Sequence, residues 1–440
     1  MALRRPVGAV AVDLGATSGR FAAGWVEDGQ IRFEVVEQVP HSPLVSGGHE
    51  VWDLEKLLGL CRRAVAFAGE RFERSAVGID AWGVDHGFLD DSGALFQAPI
   101  CYRDKSHSVQ FSRFEDSRAK LFGLTGIAAQ PFNTIYQLAA RKAEGMTPCR
   151  WLPLPDLLGY LLGGQANVEL TEASTTGLLG LDGAWCDEAF ELVGWPIPSL
   201  LPRLPADSGL EELGSGVSLA RVGSHDTASA VYGLGPLDEG TMYLNVGTWA
   251  LAGVVLDSPL ATAQAEAAGF TNERAVDGRI RFLKNVPGFY VVNRLHEELG
   301  VGVSVPEWLS SASPATATLD LLDQALYAPE SMVAAVRGLG SDPGTDLRAW
   351  AGLALGSLAA TISAQIGLLE GLIGRSVTTI RVSGGGSQSA ALCQALASAS
   401  GRAVVAGPAE ATVLGNLAAS LKALGAGPFE LSAETVKYAP

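Results

Sequence analysis

Residues 10–21 read VAVDLGATSGRF, and this run decides how the chain is built. Residues 7–12 are small or branched and apolar, and read as a strand. Asp13 ends the run, Gly15 and Gly19 bracket small polar residues, and Arg20 opens a second apolar run. Two readings fit the stretch taken alone. One is a hairpin turn with an Asx contact. In the other, Gly15 and Gly19 take positive φ, so that successive backbone N–H groups of the loop and the hydroxyls of Thr17 and Ser18 face an anion. Arg20 then adds local positive charge, and Asp13 holds Mg2+ through water, because a hard cation takes oxygen ligands.

Working outward, strand-like runs at 7–12, 20–26 and 31–38, separated by short turns, predict an antiparallel meander. Residues 53–72 carry apolar positions at helical spacing behind Asp53, a ready N-cap. A strand, AVGIDAWGV (76–84), and a hairpin through DDSG follow, so the first half is mixed α and β. At 236–241, PLDEGT breaks the chain, and MYLNVGTWALAG (242–253) then repeats the opening layout. It has an apolar strand, a lone Asn245 in place of Asp13, a glycine, a threonine and more strand. A duplicated unit is the economical explanation, with related domains at 1–235 and 236–440. The second half closes with a helix over 346–373, strand TTIRVSG, loop GGGSQ, a helix, strand AVVAG and a helix over 410–423. That alternation predicts a parallel sheet edge covered by helices.

With 31 basic against 47 acidic side chains the formal charge is −16, which disfavours nucleic acid and anionic membrane surfaces as partners. Arg4 and Arg5 precede an apolar run, but Asp13 interrupts it, and no apolar stretch reaches the ~20 residues a membrane span needs. Five cysteines without a C-x-x-C pair fit reduced thiols in a cytoplasmic protein. Walker A, Rossmann, G-x-S-x-G and H-E-x-x-H patterns are missing, so hydrolase and zinc chemistry have little support.

Three further stretches carry candidate chemistry. In VGSHDTASAVYG (222–233), Asp226 is either the N-cap of a small-residue helix or a carboxylate placed to accept the proton of an attacking hydroxyl. His225 beside it is a sugar partner or the base itself, and Asp226, anionic at neutral pH, is the better choice. In GIDAWGVDHGFLDD (78–91), Trp82 beside Gly83 suits a sugar face, while a core tryptophan is the plainer reading. VSGGGSQ (382–388) lets backbone approach a ligand at a helix start.

Taken jointly, DLGATSGR, GIDAWGVD, FNTIYQL, SHDTASAV, NVGTWAL, GFTNE, RFLKN, VSGGGSQ and AGPAEATVLGN, in order over residues 8–426, resemble the FGGY carbohydrate kinases, most of all the branch acting on L-rhamnulose. The resemblance implies an α/β chain with two ribonuclease H-like domains of the actin and hexokinase type, mixed sheets flanked by helices, and an active-site cleft between them. It implies transfer of the γ-phosphoryl group of MgATP to O1 of a ketose, with a monomer or homodimer as the assembly. L-Rhamnulose comes first; L-fuculose, L-xylulose or a polyol is the alternative, and a non-kinase ATPase on the same scaffold is the rival of another class. Residue by residue, it implies Asp226 as proton acceptor and Asp13 near the metal. Sugar contacts would come from Gly83, His225, Asp226, Thr227 and Asn285, beside the aromatic face that Trp82 offers on its own reading. ATP contacts would come from Ala16, Thr17, Ser18, Gly19, Arg20, Thr248, Gly384 and Gly385. Asn293 stands where that branch usually carries Gln, a departure at a nucleotide position.

Overall fold

The computed structural model describes residues 6–327, 329–431 and 434–440, so Arg4 and Arg5 lie outside the described residues. The chain divides into two compact units. The first holds residues to Gly235, Leu256–Phe282 and the segment from Thr412; the second holds Pro236–Val255, Leu283–Ala411 and the C-terminal strand.

In the first unit, β1 (Val7–Leu14), β2 (Ser18–Glu27) and β3 (Gln30–Pro40) form the expected antiparallel meander. A ribbon of β4 (Leu44–Ser46) and β5 (His49–Val51) leads into helix Leu54–Arg71, whose first turn is capped by the Asp53 side chain accepting from the Lys56 N–H. The helix buries Leu57, Leu60, Cys61, Ala64 and Ala68 in a core shared with Val10, Val12 and Val77. β6 (Arg74–Ala81) pairs parallel with β1, and β7 (His86–Leu89) with β8 (Arg150–Pro153) makes a second ribbon. β9 (Leu210–Gly214) and β10 (Val217–Ala220) complete a sheet of order β3-β2-β1-β6-β10-β9. The apolar run at 7–12 is therefore a central strand, which is why it lacks alternation.

The second unit opens on the hairpin of β11 (Thr241–Val246) and β12 (Trp249–Leu256). β13 (Thr271–Arg274) belongs to the first unit, while β14 (Ile280–Pro287) enters the second at Leu283. With β15 (Thr379–Ser383), β16 (Ala403–Ala406) and β17 (Val436–Tyr438), the second sheet has seven strands in the order β13-β14-β12-β11-β15-β16-β17. From β14 onward this matches the order of the first sheet: an antiparallel hairpin, two parallel additions, then an antiparallel edge. The register matches too. Asp13 faces Asp80 across β1 and β6, and Asn245 faces Ser383 across β11 and β15. The repeat seen in two short stretches is thus a repeat of whole sheets.

Helix Leu347–Ile373 is long and apolar enough to cross a membrane, but most of its apolar stretch is buried within the protein. Trp350, Leu358, Ile362 and Ile366 are among its core side chains.

A single boundary near residue 235 does not describe the packing. Helix Ala411–Leu424 follows β16, yet Val413, Leu417 and Leu421 pack on Ala9, Ala11 and Ala22 of the first sheet. The sheet accepts the helix because its residues are small there: a Cβ on Gly24 would lie 2.7 Å from Leu417 Cδ1, and one on Gly78 would lie 2.3 Å from Asn416 Oδ1. Helical spacing shows that this segment has an apolar face; the sheet it covers is settled by complementary shape.

Candidate active site

The 15–18 turn is a tight hairpin, with the Gly15 N–H donating to Ser18 C=O at 3.0 Å. Neither Gly15 nor Gly19 adopts positive φ, so the expected backbone nest is not what these glycines provide. Gly19 serves packing instead: a Cβ there would come within 2.7 Å of Leu14 Cδ2 and 2.9 Å of Leu60 Cδ2. Thr17 is exposed at the tip, with Ala16 and Ser18 partly so.

Asp13 and Arg20 are cross-strand partners, and the Arg20 Nε and Nη2 donate to Asp13 Oδ2 at 2.9 and 2.8 Å. Arg20 therefore already neutralises a carboxylate. Beside Asp13, the fully buried Asp80 accepts from Asn416 Nδ2 at 2.6 Å through Oδ2, while its buried Oδ1 has no hydrogen-bond partner among the described residues. Burial, and then the Asp13 charge, push the Asp80 carboxyl well above the usual range, with Asn416 opposing.

Asp226 joins these two electrostatically. It opens helix Asp226–Gly233 but does not cap it: His225 occupies the N-cap position, without a side-chain cap bond. Asp226 Oδ1 accepts from Thr227 Oγ1 at 3.0 Å, and the side chain is 28% exposed. Its carboxyl is raised by burial, lowered by His225 and raised again by Asp13. A carboxylate that neither caps its helix nor sits in an ion pair with Lys or Arg is available as a base. The preceding backbone is fixed from below by buried Glu169, whose Oε2 accepts from the Ser224 N–H and Oγ at 3.1 and 2.8 Å. The His225 N–H donates to Thr171 Oγ1 at 3.2 Å, and the Ala81 N–H to Ser224 C=O at 2.9 Å, which ties the loop to the end of β6.

Trp82 and Gly83 follow β6. The Trp82 ring is buried 4.2 Å from the Trp52 ring, centroid to centroid, and its indole N–H donates to Asp85 Oδ2 at 2.8 Å. A Cβ on Gly83 would sit 3.0 Å from Thr175 Oγ1. Val84 next to it has φ 72°, a strained value for a β-branched residue. It is held by Thr175 Oγ1 accepting from its N–H at 3.0 Å and by Thr134 Oγ1 donating to its C=O at 2.6 Å. His86 is a core histidine, lowered to about 3 by burial.

In the second unit, Thr248 is exposed at the hairpin tip, and its carbonyl accepts from the Gly288 and Tyr290 N–H groups at 3.1 and 3.0 Å. Those bonds dock the tip on the start of helix Phe289–Glu298, along which Asn293 is exposed; Asn285 is exposed on β14. Gly384 has φ 69°, and a Cβ there would meet Asn245 Oδ1 at 2.6 Å, so this position requires glycine. Gly385 is exposed and opens a 3-10 turn.

Residues 242–424 match the model of the FGGY family of carbohydrate kinases, C-terminal domain. A rhamnulokinase of Bacteroides thetaiotaomicron is 34% identical over 442 residues, covering 92% of this chain and 89% of that one. The chain belongs to the FGGY carbohydrate kinases. A rhamnulokinase of Bacillus subtilis is 32% identical over 432 residues, with 92% and 88% covered. Among solved structures, the fold resembles xylulose kinase from Lactobacillus acidophilus, with TM-score 0.79 at 17% identity over 99% of this chain and 94% of that one. Plasmodium falciparum glycerol kinase with ADP gives 0.74 at 14%, with 96% and 90% covered.

This FGGY member is thus an ATP-dependent sugar kinase, and its first unit can be tested for the divalent ion that kinases use with ATP. Among the described residues no three ligating side chains cluster. Asp13 and the unpartnered Oδ1 of Asp80, in register on adjacent strands, still offer oxygens to a hard cation that keeps most of its waters. The fit is to a water-mediated site. Sequence reasoning missed Asp80, Asn416 and Glu169, which the structure brings to this candidate site. An acid inside a strand as apolar as AVGIDA was the available signal, since such a residue is seldom buried without a task.

Proposed function

We propose that the chain phosphorylates O1 of a ketose, L-rhamnulose first, with Asp226 as the base. The sugar O1–H bond breaks as the proton passes to the Asp226 carboxylate; O1 bonds to the γ-phosphorus of ATP, and the bond to the departing ADP oxygen breaks. Such transfer needs positioning and charge neutralisation more than covalent chemistry from the protein. The observation that carries this reading is Asp226 itself: a part-exposed carboxylate on the first turn of its helix, relieved of capping, near Asp13. The two relatives named rhamnulokinase support the choice of sugar. Gly83, His225 and Thr227 are the proposed sugar contacts of the first unit, with Trp82 supporting Gly83 from the core. Residues Ala16 to Arg20 would meet phosphate oxygens, and Asp13 with Asp80 would hold Mg2+ through water. In the second unit, Asn285 is the proposed sugar contact, and Thr248, Asn293, Gly384 and Gly385 the proposed nucleotide contacts. The reading places the enzyme in the cytoplasm.

The test is coupled ADP release over a panel of L-rhamnulose, L-fuculose, L-xylulose and polyols. L-Rhamnulose should give the highest kcat/KM, and Asp226→Asn should lower kcat with it by about 100- to 10,000-fold. Near-wild-type turnover in Asp226→Asn would remove Asp226 as the base. A rate indifferent to every sugar would favour a plain ATPase.

A further inference from the structure

We propose that Arg281 and Glu273 are positioning residues that fix the tautomer and aim of His225, and through it select which oxygen of Asp226 receives the sugar proton. The inference deepens the reading of Asp226 as the base and rests on it. Arg281 is completely buried; its Nε donates to Arg274 C=O at 2.9 Å, and its Nη2 lies 2.9 Å from His225 Nδ1. A guanidinium has only donors, so Nδ1 must be the acceptor, and the proton of the neutral ring sits on Nε2. Nε2 lies 3.5 Å from Asp226 Oδ1, the same oxygen that accepts from Thr227 Oγ1. Oδ1 is thereby the oxygen turned to the protein, which assigns Oδ2 to the sugar hydroxyl.

Glu273 completes the set. Its Oε2 is 3.0 Å from Arg281 Nη2 and 3.3 Å from His225 Nδ1, as an ion-pair neighbour lying off the N–H axis that points at the ring. It balances the Arg281 charge so that the histidine does not face an unpaired buried cation. Burial works against the Glu273 carboxylate, but Arg281 and then His225 hold its carboxyl below the usual range. A buried ion pair is a poor source of stability, and here Arg281 Nη1 is also left without a hydrogen-bond partner among the described residues. That cost is intelligible if the pair orients a working group. The division of labour is visible: Glu169 and Thr171 hold the backbone of Ser224 and His225, and Arg281 holds the ring.

The direct test needs no variant of the pair. In full-length enzyme labelled with 15N-histidine, the six histidines are resolved by their ring nitrogens, and His225 is assigned by its loss in His225→Gln. A protonated Nε2 with a bare Nδ1 at neutral pH is expected; a protonated Nδ1 overturns the proposal. Arg281→Leu should shift the ring toward the Nδ1–H form, now donating to Glu273, and an unmoved tautomer also overturns it. In ADP release with the best sugar, Arg281→Leu should lower kcat by about 100-fold, the scale of a misplaced catalytic group, and Arg281→Lys should recover part of it. In an Asp226→Asn background the Arg281→Leu loss should nearly vanish, because the two act as one unit. Losses that multiply would mean Arg281 acts on the fold alone. The tautomer is read without turnover, so failure of the positioning claim is distinguishable from failure of Asp226 as the base.

Discussion

Gly415→Ala should reverse the ordinary effect of replacing a helical glycine. In an open helix position the change to alanine gains about 1 kcal/mol, because glycine loses more backbone entropy on folding. Gly415 lies in helix Ala411–Leu424, where a Cβ would stand 1.9 Å from Ser229 C=O oxygen, 2.7 Å from its carbonyl carbon and 2.9 Å from the Gly233 N. All three are backbone atoms, which cannot rotate away. Real Cβ atoms keep at least 3.0 Å, so the helices must separate by at least about 1.1 Å. Overpacking of this kind costs about 1–3 kcal/mol, which cancels or outweighs the propensity gain and leaves a net loss of up to about 2 kcal/mol. Ser229 stands three residues after Asp226 on one short helix, so the displacement carries the base with it, and kcat should fall by about 100-fold. The control is Gly367→Ala in helix Leu347–Ile373, where a Cβ meets nothing within 4 Å. Thermal unfolding and ADP release on both variants decide the matter: Gly367→Ala should unfold at higher temperature with activity intact, and Gly415→Ala lower with activity lost. If Gly415→Ala is stabilised like its control and turns over normally, the close packing of the two helices is wrong, and with it the argument for why this segment joins the first unit.

Two pH effects follow from the carboxylates. Glu298 accepts from the Met332 and Val333 N–H groups, Ser331 Oγ and Arg294 Nη2, and despite some burial these bonds depress its carboxyl to about 2. A depressed folded value stabilises above the unfolded pKa of about 4.3 and is lost as pH falls toward 2, so Glu298→Gln should cost about 1 kcal/mol at pH 7, allowing for solvent screening. Urea midpoints of variant and wild type should converge on acidification; a gap that persists would remove the ionised cap. Asp85 behaves oppositely: burial raises it to about 7 in spite of bonds from the Trp52, Trp82 and Gln137 side chains. Because the folded value is raised for an acid, its contribution falls as pH climbs from about 4 to about 7 and is level above that. Tryptophan fluorescence should titrate near pH 7 and cease to do so in Asp85→Asn; a flat wild-type profile would place the titration elsewhere.

The legibility of this protein differs from residue to residue for physical reasons. Helix Leu54–Arg71 and the meander β1 to β3 were readable because their signals are local: a capping Asp53, apolar spacing and turn residues a few positions apart. Asp226 was readable as a candidate, but its freedom from capping was not, since the neighbouring His225 takes the cap position by a backbone angle that no residue type dictates. The phosphate-loop reading of Gly15 and Gly19 invoked backbone freedom, and the structure shows Gly19 chosen for space against Leu14 and Leu60. A glycine looks the same in sequence whether it is needed for φ or for room.

By itself the sequence determined the elements, through local spacing and turn residues, and the repeated strand-turn-strand layout, while nine stretches in order over residues 8–426 carried the resemblance to the FGGY kinases. Tertiary structure alone decided that Asp80 stands beside Asp13, that Asn416 reaches Asp80 from 336 residues away, and that Glu273 and Arg281 close behind His225. Strand register, helix docking and buried charge pairs depend on which surfaces fit one another, and that complementarity exists only once the chain has folded.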